Sequence, residues 1–567
     1  MHEPLVSFTN SPNAVARSVG LSHLAFGDGL IARRRKAILE NGLLHGLNML
    51  EATGSIEAFG LIEGEPPGFV YSDSDVYKWL EACGYALSEN HEHPVAGSVE
   101  RIIELIANAQ DEDGYVNSSF PSHKRHERFS NLKDLHEIYC LGHLIQAGIT
   151  YKRAGLSRLF EIALMAAECL ERIGSGCGHP VAEMALVELY RETEDKRWLL
   201  LAQKMLNSRG AEPHLFDGKE YYQDHLPVTE QTYAAGHTVR ALYLYSGMTD
   251  YYLETGDREY LGAIQALWDD VFLTKLYVTG GLGAKHDGEA FGESFELPNS
   301  TAYCESCAAI ASMQWNWRMF AAFGETKYWD EIERVLYNCF LSSFSENGNA
   351  YFYVNPLEAN EKVERKEWFA CACCPPNIFR TILSLHSMFF STTATELLIN
   401  NYEPMTYDDG FSRVQILSNY PWSGDVLIRI WSFEKSSMRM RVPSWCSSGT
   451  VAVNDEVAKK IESGWLCFER SWRPGDQIRL TFDMPVEVLT DDSRVVTNIG
   501  LHAVRRGPVV YCAESFGDSE LDWDNLEISK NDNLCGGVIL IGKRVPYFSW
   551  GNRGPSKMKV WMEAKSK

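Results

Sequence analysis

A chain of 567 residues, 45% hydrophobic and 23% charged, can bury a sizeable core and divides naturally into two or three domains. Its formal net charge of -23 excludes nucleic acid and anionic membranes as partners, since both ask for a basic surface, and favours a neutral small or oligomeric substrate. The 14 cysteines are irregularly spaced and two are adjacent, unlike the dense framework of a small secreted domain; with no leader-like start and no run of eighteen apolar residues, the expectation is a reduced, cytoplasmic protein.

From about residue 25 to 392 the apolar residues follow helical spacing. In 99–110, Ile102, Ile103, Leu105 and Ile106 make a stripe, and 151–173, 196–206, 258–272, 326–340 and 377–390 behave alike. A turn phrase recurs between helical stretches: Lys152-Arg153-Ala154-Gly155, Arg191-Glu192-Thr193-Glu194-Asp195, Leu253-Glu254-Thr255-Gly256-Asp257 and Ala322-Phe323-Gly324-Glu325-Thr326. Such repetition predicts stacked helical hairpins, and spacing too irregular for a solenoid predicts a closed barrel of helix pairs.

After 393 the period becomes two. Val426, Ile428 and Ile430 share one face of 425–432, and 437–442, 464–469, 477–482 and 486–490 repeat that length. Asn454-Asp455-Glu456 and Pro474-Gly475-Asp476 read as turns. The expected organisation is a helical domain over 1–392 and an antiparallel β-sandwich region over 393–567, as one sandwich or two small ones. No low-complexity linker separates them, so rigid packing is expected.

Candidate chemistry concentrates in the helical part. His136, Cys140 and His143 fall at i, i+4 and i+7, one helical face. His179 stands in Gly178-His179-Pro180 and His237 in Gly236-His237-Thr238. A lone histidine is more often a satisfied core or surface group; several facing one cavity would reverse that reading. The loop Gly288-Glu289-Ala290-Phe291-Gly292-Glu293-Ser294 supplies two carboxylates, either as an ordinary solvated loop or as the home of a general acid with a raised pKa.

Tyr303-Cys304-Glu305-Ser306-Cys307 and Cys373-Cys374-Pro375-Pro376 complete the set. Proline holds the preceding residue extended and is tolerated in a first helical turn, so two thiols stand at a rigid approach to a helix expected from about Asn377. Glu305 and Cys307 would point about 200° apart inside one helix, so they are expected to act together from an irregular lead-in before a helix near Ala308. Glu305, Cys307, Cys373 and Cys374 suit tetrahedral zinc, although their spacing fits no zinc finger and inert buried cysteines are the plain alternative.

Cys-Cys-Pro-Pro-Asn, Glu-x-Cys and the Gly-Glu loop sixteen residues before it resemble glycoside hydrolase family 127, whose characterised members include bacterial β-L-arabinofuranosidases. The resemblance covers nearly the whole chain, through Lys78-Trp79-Leu80-Glu81-Ala82, Asp113-Gly114-Tyr115, His136-Glu137-Ile138-Tyr139, Gly142-His143-Leu144, Arg441-Val442-Pro443-Ser444-Trp445, Arg506-Gly507-Pro508-Val509-Val510-Tyr511 and Trp550-Gly551-Asn552-Arg553-Gly554. It implies an (α/α)6 barrel followed by β-sandwich domains, and a zinc site of Glu305, Cys307, Cys373 and Cys374. It also implies Cys373 as nucleophile, Glu289 as acid/base, and His136, His179 and His237 as sugar-binding histidines. His143 is an alternative to His136. Glu293 rivals Glu289, which the sixteen-residue spacing favours.

The chain departs from the family in short segments between His136, His179 and His237, and Cys304 and Cys371 are additional thiols. The expected activity is retaining, exo-acting release of β-L-arabinofuranose from a small oligosaccharide or glycoconjugate, with a homodimer through the β-domain as the expected assembly. Hydrolysis of another furanose or of an acidic sugar with a purely structural zinc, and non-catalytic carbohydrate binding, are the competing expectations.

Overall fold

The computed structural model describes residues 3–61, 66–517, 521 and 524–564. Its helical part contains α1 (Leu30–Ala37), α2 (Leu43–Ala52), α3 (Asp73–Glu89), α4 (Ala96–Ala109), α5 (Glu137–Arg153), α6 (Arg158–Ile173), α7 (Ala182–Thr193), α8 (Lys196–Ser208), α9 (Thr238–Thr255), α10 (Arg258–Thr274), α11 (Ser306–Phe323), α12 (Thr326–Val335) and α13 (Cys374–Ser384). Helices α3, α5, α7, α9, α11 and α13 pack each on the next, and α13 closes on α3. Around this ring α4, α6, α8, α10 and α12 each lie against the inner helix that precedes them, while α1 and α2 lie against α13. This is an (α/α)6 barrel.

The burial pattern follows from position in the two rings. Inner helices are buried on nearly all sides, as in α11 from Ser306 to Met313, whereas α4 buries only the stripe Val99, Ile102, Ile103 and Ile106. Close approach needs small residues: a Cβ on Gly148 of α5 would lie 2.4 Å from the Cβ of Ala163 on α6. The recurring turn phrases end helices in the left-handed conformation, with φ of 71° at Gly256 and 67° at Gly324, and with Glu194 taking the same role at 58°. The apolar stretch 151–173 is therefore not one helix; the turn at 154–157 divides it into the end of α5 and α6.

Beyond the barrel, a seven-stranded sheet runs in the order Leu24–Phe26, Met405–Asp408, Arg413–Ser418, Asp425–Ser432, Gln477–Phe482, Gly449–Val453, Lys459–Ile461. It accompanies a four-stranded sheet of Gly464–Phe468, Ser437–Val442, Glu396–Ile399 and Phe390–Thr392. Pairing is antiparallel except between Glu396–Ile399 and Ser437–Val442, which run parallel because the chain crosses into the other sheet between them. A further antiparallel sheet joins Val486–Leu489, Leu501–Arg506, Val509–Ser515, Ser556–Lys559 and, from the helical part, Glu358–Val363. Three segments before residue 393, Leu24–Phe26, Glu358–Val363 and Phe390–Thr392, thus lend strands to the β region.

Several sequence motifs prove to be the mortar of this architecture. Glu333 on α12 accepts from Arg441 (2.5 Å), Tyr420 (2.5 Å) and the Trp445 indole (2.9 Å), fastening the sandwich to the barrel. Asn338 clasps the turn after Arg506, donating to Pro508 O (2.9 Å) and accepting from Val510 N (2.8 Å). Trp550 stacks on Phe352 with centroids 4.7 Å apart. Among the described residues no helix is long and apolar enough to cross a membrane.

Candidate active site

One cavity of about 190 Å³ lies where the N-terminal ends of the inner helices converge. Tyr71 just precedes α3 and His179 precedes α7, while His136, His237, Glu305 and Cys373 occupy the N-cap positions of α5, α9, α11 and α13. Helix N-termini carry unpaired N–H groups and partial positive charge, so this end of the barrel favours anions and disfavours charged imidazole.

Three histidine rings line one wall in sequence, with centroids 5.9 Å apart for His136 and His179 and 5.7 Å for His179 and His237. Burial, reinforced by the Arg240 guanidinium, lowers all three, His136 to about 4. The rings are neutral at ordinary pH. His237 Nδ1 accepts from the backbone N–H groups of Val239 (3.2 Å) and Arg240 (3.4 Å), so its proton sits on Nε2, 2.8 Å from Glu289 Oε2. His179 Nδ1 faces Pro180 O at 3.1 Å and His136 Nδ1 faces Asp134 O; carbonyls only accept, so both rings carry the proton on Nδ1 and present Nε2 as an acceptor.

His136 stands just before its helix, with φ of 57°, and therefore does not share a helical face with Cys140 and His143. Cys140 turns to Tyr71 O, and His143 lies buried under Tyr139, its ring centroid 4.7 Å from that of the tyrosine. His136 lines the cavity and His143 does not.

Glu289 also lines the cavity, held at φ of 51° after Gly288 and bonded by His237 and by the Tyr303 hydroxyl (2.7 Å). Burial would raise its pKa, but the donors His237 and Tyr303, with Arg240 nearby, bring it below the ordinary carboxylate range. The expectation of a raised value fails for this reason: two hydrogen-bond donors aim at the anion. Glu293 is exposed and outside the cavity, its backbone N–H turned to Glu296.

The floor is a cluster of Glu305, Cys307, Cys373 and Cys374 with donor atoms within 4.8 Å of one another. Cys307 Sγ lies 3.8 Å from Cys373 and 3.4 Å from Cys374, and Glu305 Oε1 lies 3.6 and 3.7 Å from the same two sulfurs. The helix boundaries differ from the sequence expectation. α11 begins at Ser306, so Glu305 is its extended N-cap residue and Cys307 already sits in its first turn; α13 begins at Cys374, with both prolines in its first turn. The extended φ and ψ of Glu305 (-60° and 140°) fold its carboxylate back toward Cys307, which removes the 200° separation.

This donor set fits a metal cation. Glu305 is 3% exposed, yet its Oε2 has no hydrogen-bond partner. Burial, with Cys373 and Glu289 adding repulsion, drives its carboxyl well upward, while burial also raises Cys374. Cys307, despite burial, is brought down to about 6 by its hydrogen bonds with the Cys373 and Cys374 thiols. A buried group of three sulfurs and one carboxylate supports several negative charges only beside a cation.

Comparison with known proteins places the whole arrangement. Residues 33–387 match the description "Beta-L-arabinofuranosidase, GH127 catalytic domain", 396–484 the GH127 middle domain and 486–563 the family's C-terminal domain. The chain belongs to glycoside hydrolase family 127. It is 30% identical to a non-reducing end β-L-arabinofuranosidase of Bifidobacterium longum subsp. longum, over 89% of this chain and 91% of that one. A solved GH127 β-arabinofuranosidase is 32% identical with a TM-score of 0.90, covering 98% of each chain. A β-L-arabinofuranosidase from Geobacillus stearothermophilus T6 is 32% identical with a TM-score of 0.89, covering 96% of this chain and 100% of that one. This family 127 chain is accordingly a glycosidase.

Sequence reading passed over much of the cavity wall. Tyr71, Tyr139, Tyr221, Tyr243, Tyr353 and Arg240 line it, and Tyr303 orients Glu289. Only adjacency could have flagged them, as Tyr303 abuts Cys304-Glu305 and Tyr139 closes the His136 motif. Of the additional thiols, Cys371 lines the cavity, 3.9 Å from the Tyr353 hydroxyl, and Cys304 is buried behind it against Gly281.

Proposed function

We propose that this enzyme is an exo-acting, retaining glycosidase that removes β-L-arabinofuranose from the non-reducing ends of oligosaccharides or glycoconjugates, with Cys373 as nucleophile and Glu289 as acid/base. The single observation that carries the reading is the accessibility of one thiol in the four-donor cluster. Cys307 and Cys374 are 4% and 0% exposed, whereas Cys373 is half-buried, faces the cavity and lies 3.2 Å from the Tyr353 hydroxyl. The cavity suits a single sugar residue, and the names of the relatives point to arabinofuranose.

Glu305, Cys307, Cys373 and Cys374 would hold zinc, which when bound keeps the thiols ionised at neutral pH. Cys373 Sγ attacks the anomeric carbon; the S–C bond forms as the glycosidic C–O bond breaks, and Glu289 passes its proton to the departing oxygen. Water then attacks the same carbon from the opposite side, giving its proton to Glu289 as the S–C bond breaks, so two inversions retain configuration. His237 Nε2–H and Tyr303 O–H stabilise Glu289 as the anion that performs this second half. The first half needs Glu289 protonated, so kcat/KM is expected to fall as pH rises through its pKa. His179, with Nε2 as an acceptor, receives a sugar hydroxyl, His136, whose Nε2 accepts from Arg240 at 3.4 Å, meets the sugar beside that guanidinium, and the tyrosines supply further hydroxyl contacts.

A second reading uses Glu289 and Glu305 as the carboxylate pair of an ordinary retaining glycosidase, since their oxygens lie within 4.8 Å. The 3% exposure of Glu305 speaks against attack by its carboxylate. Purified, zinc-loaded protein incubated with aryl β-L-arabinofuranoside, its α-anomer and a panel of other furanosides, pyranosides and unsaturated uronides decides the substrate. Turnover of the β-L-arabinofuranoside with retained configuration in the first-formed product supports the proposal. An inverted product refutes the covalent step, and turnover of another sugar alone refutes the substrate.

A further inference from the structure

Behind the floor of the cavity, one turn along α13 from Cys374, Asn377 is 1% exposed and belongs to no step described above. Its Nδ2 donates to Cys307 Sγ at 3.3 Å and to the Tyr243 hydroxyl at 3.2 Å. Its Oδ1 accepts from Arg380 Nε at 2.7 Å, one turn further along the same helix. Arg380 is in turn fixed by Glu81 of α3 (2.8 Å) and Gln146 of α5 (2.9 Å), all of them buried.

This chain of contacts leaves the Asn377 amide one orientation. Arg380 has only donors, so the amide must turn its oxygen to Arg380 and its N–H groups to Cys307 and Tyr243. A flipped amide would set two donors against each other and remove the donor from a buried sulfur.

We infer that Asn377, locked by Arg380 and Glu81, is the positioning residue of the thiolate cluster, holding Cys307 Sγ in place as a metal ligand through an N–H···S hydrogen bond. The inference rests on the proposed zinc site. Outer hydrogen bonds of this kind orient ligands and stabilise their charged forms, and their loss typically weakens metal affinity about 10–100-fold. Cys307 is only 4% exposed, so water has little room to replace the lost donor.

Asn377→Asp tests this directly, because its carboxylate keeps an acceptor for Arg380 while replacing the donor to Cys307 by an anion. Asn377→Ala removes the contact without adding charge and decides the matter if the aspartate variant does not fold. Zinc affinity is measured by competition with a chromogenic chelator, alongside the thiolate charge-transfer bands of the cobalt-loaded proteins and the melting curves of the metal-free ones. The expected result is one zinc per wild-type chain, affinity weakened at least about tenfold in each folded variant and shifted cobalt bands, with metal-free melting lowered more in Asn377→Ala, which leaves Arg380 Nε without its acceptor, than in Asn377→Asp, which keeps one. Wild-type affinity and bands in both variants would overturn the assignment while leaving the zinc site standing. A wild-type chain that binds no stoichiometric zinc would overturn the site itself, and the inference with it.

Discussion

The two ends of the inner barrel are built from similar residues to opposite purposes. At the C-terminal end Asp250 of α9 takes Arg318 of α11 at 2.6 Å and Arg191 of α7 at 2.9 Å, while Arg191 also meets Glu188 (2.5 Å) and Glu254 (2.6 Å). Arg153 of α5 completes the set against Glu188 and Glu192. Opposite charges alternate there, so the network ties four inner helices together. At the N-terminal end the acidic groups crowd one another: Glu289 and Glu305 approach within 4.8 Å, and three thiols share one floor. Burial with paired charge gives rigidity, and burial of like charge gives a donor set that fits a cation.

The comparison is sharpened most by Cys373→Ser. Turnover is expected to fall at least about a thousandfold, as removal of a nucleophile does, while zinc-loaded protein keeps its fold by circular dichroism. Near-normal activity would return the chemistry to the carboxylates. Glu289→Gln is expected to lose about 10²- to 10⁴-fold on substrates with poor leaving groups and far less on aryl substrates that need no proton. Equal loss across a leaving-group series would make Glu289 a positioning group instead.

At the opposite end, Asp250→Asn leaves two buried guanidinium groups without their shared anion and is expected to cost about 3–5 kcal/mol of stability in denaturant titration. The kcat of the remaining folded enzyme should stay near wild type; a large loss of kcat would mean that the two ends are not separate in function. The smallest effect expected is that of Tyr303→Phe. Its hydroxyl stabilises the charged form of Glu289, so its loss raises that pKa and lets the acid form persist to higher pH. The basic limb of the kcat/KM profile should therefore move upward, and a fixed limb would show that Tyr303 does not tune the carboxyl.

Much of this was legible in the chain. Strands at 425–432 and 477–482 coincide with their period-two stretches because each buries one face, 437–442 coincides although it is buried on both, and helices at 196–206 and 258–272 gain only two residues at their ends. The prolines beside Cys374 and the Gly-Glu loop flagged the floor and wall of the cavity through local backbone chemistry. Less legible were the strands Leu24–Phe26 and Glu358–Val363, short segments in a helical region whose partners lie far along the chain. The direction of the Glu289 shift was also hidden, since it depends on His237 and Tyr303 meeting one carboxylate.

The amino-acid sequence by itself determined the period of each element, the caps that end the helices and the supply of thiols, carboxylates and imidazoles, since these depend on neighbours within a few residues. Tertiary structure alone decided which groups share a cavity, which nitrogen of each histidine carries the proton, and which sulfur of the four-donor cluster is the most exposed. Those outcomes arise only when six helix N-termini converge, because burial and charge act through space without regard to order along the chain.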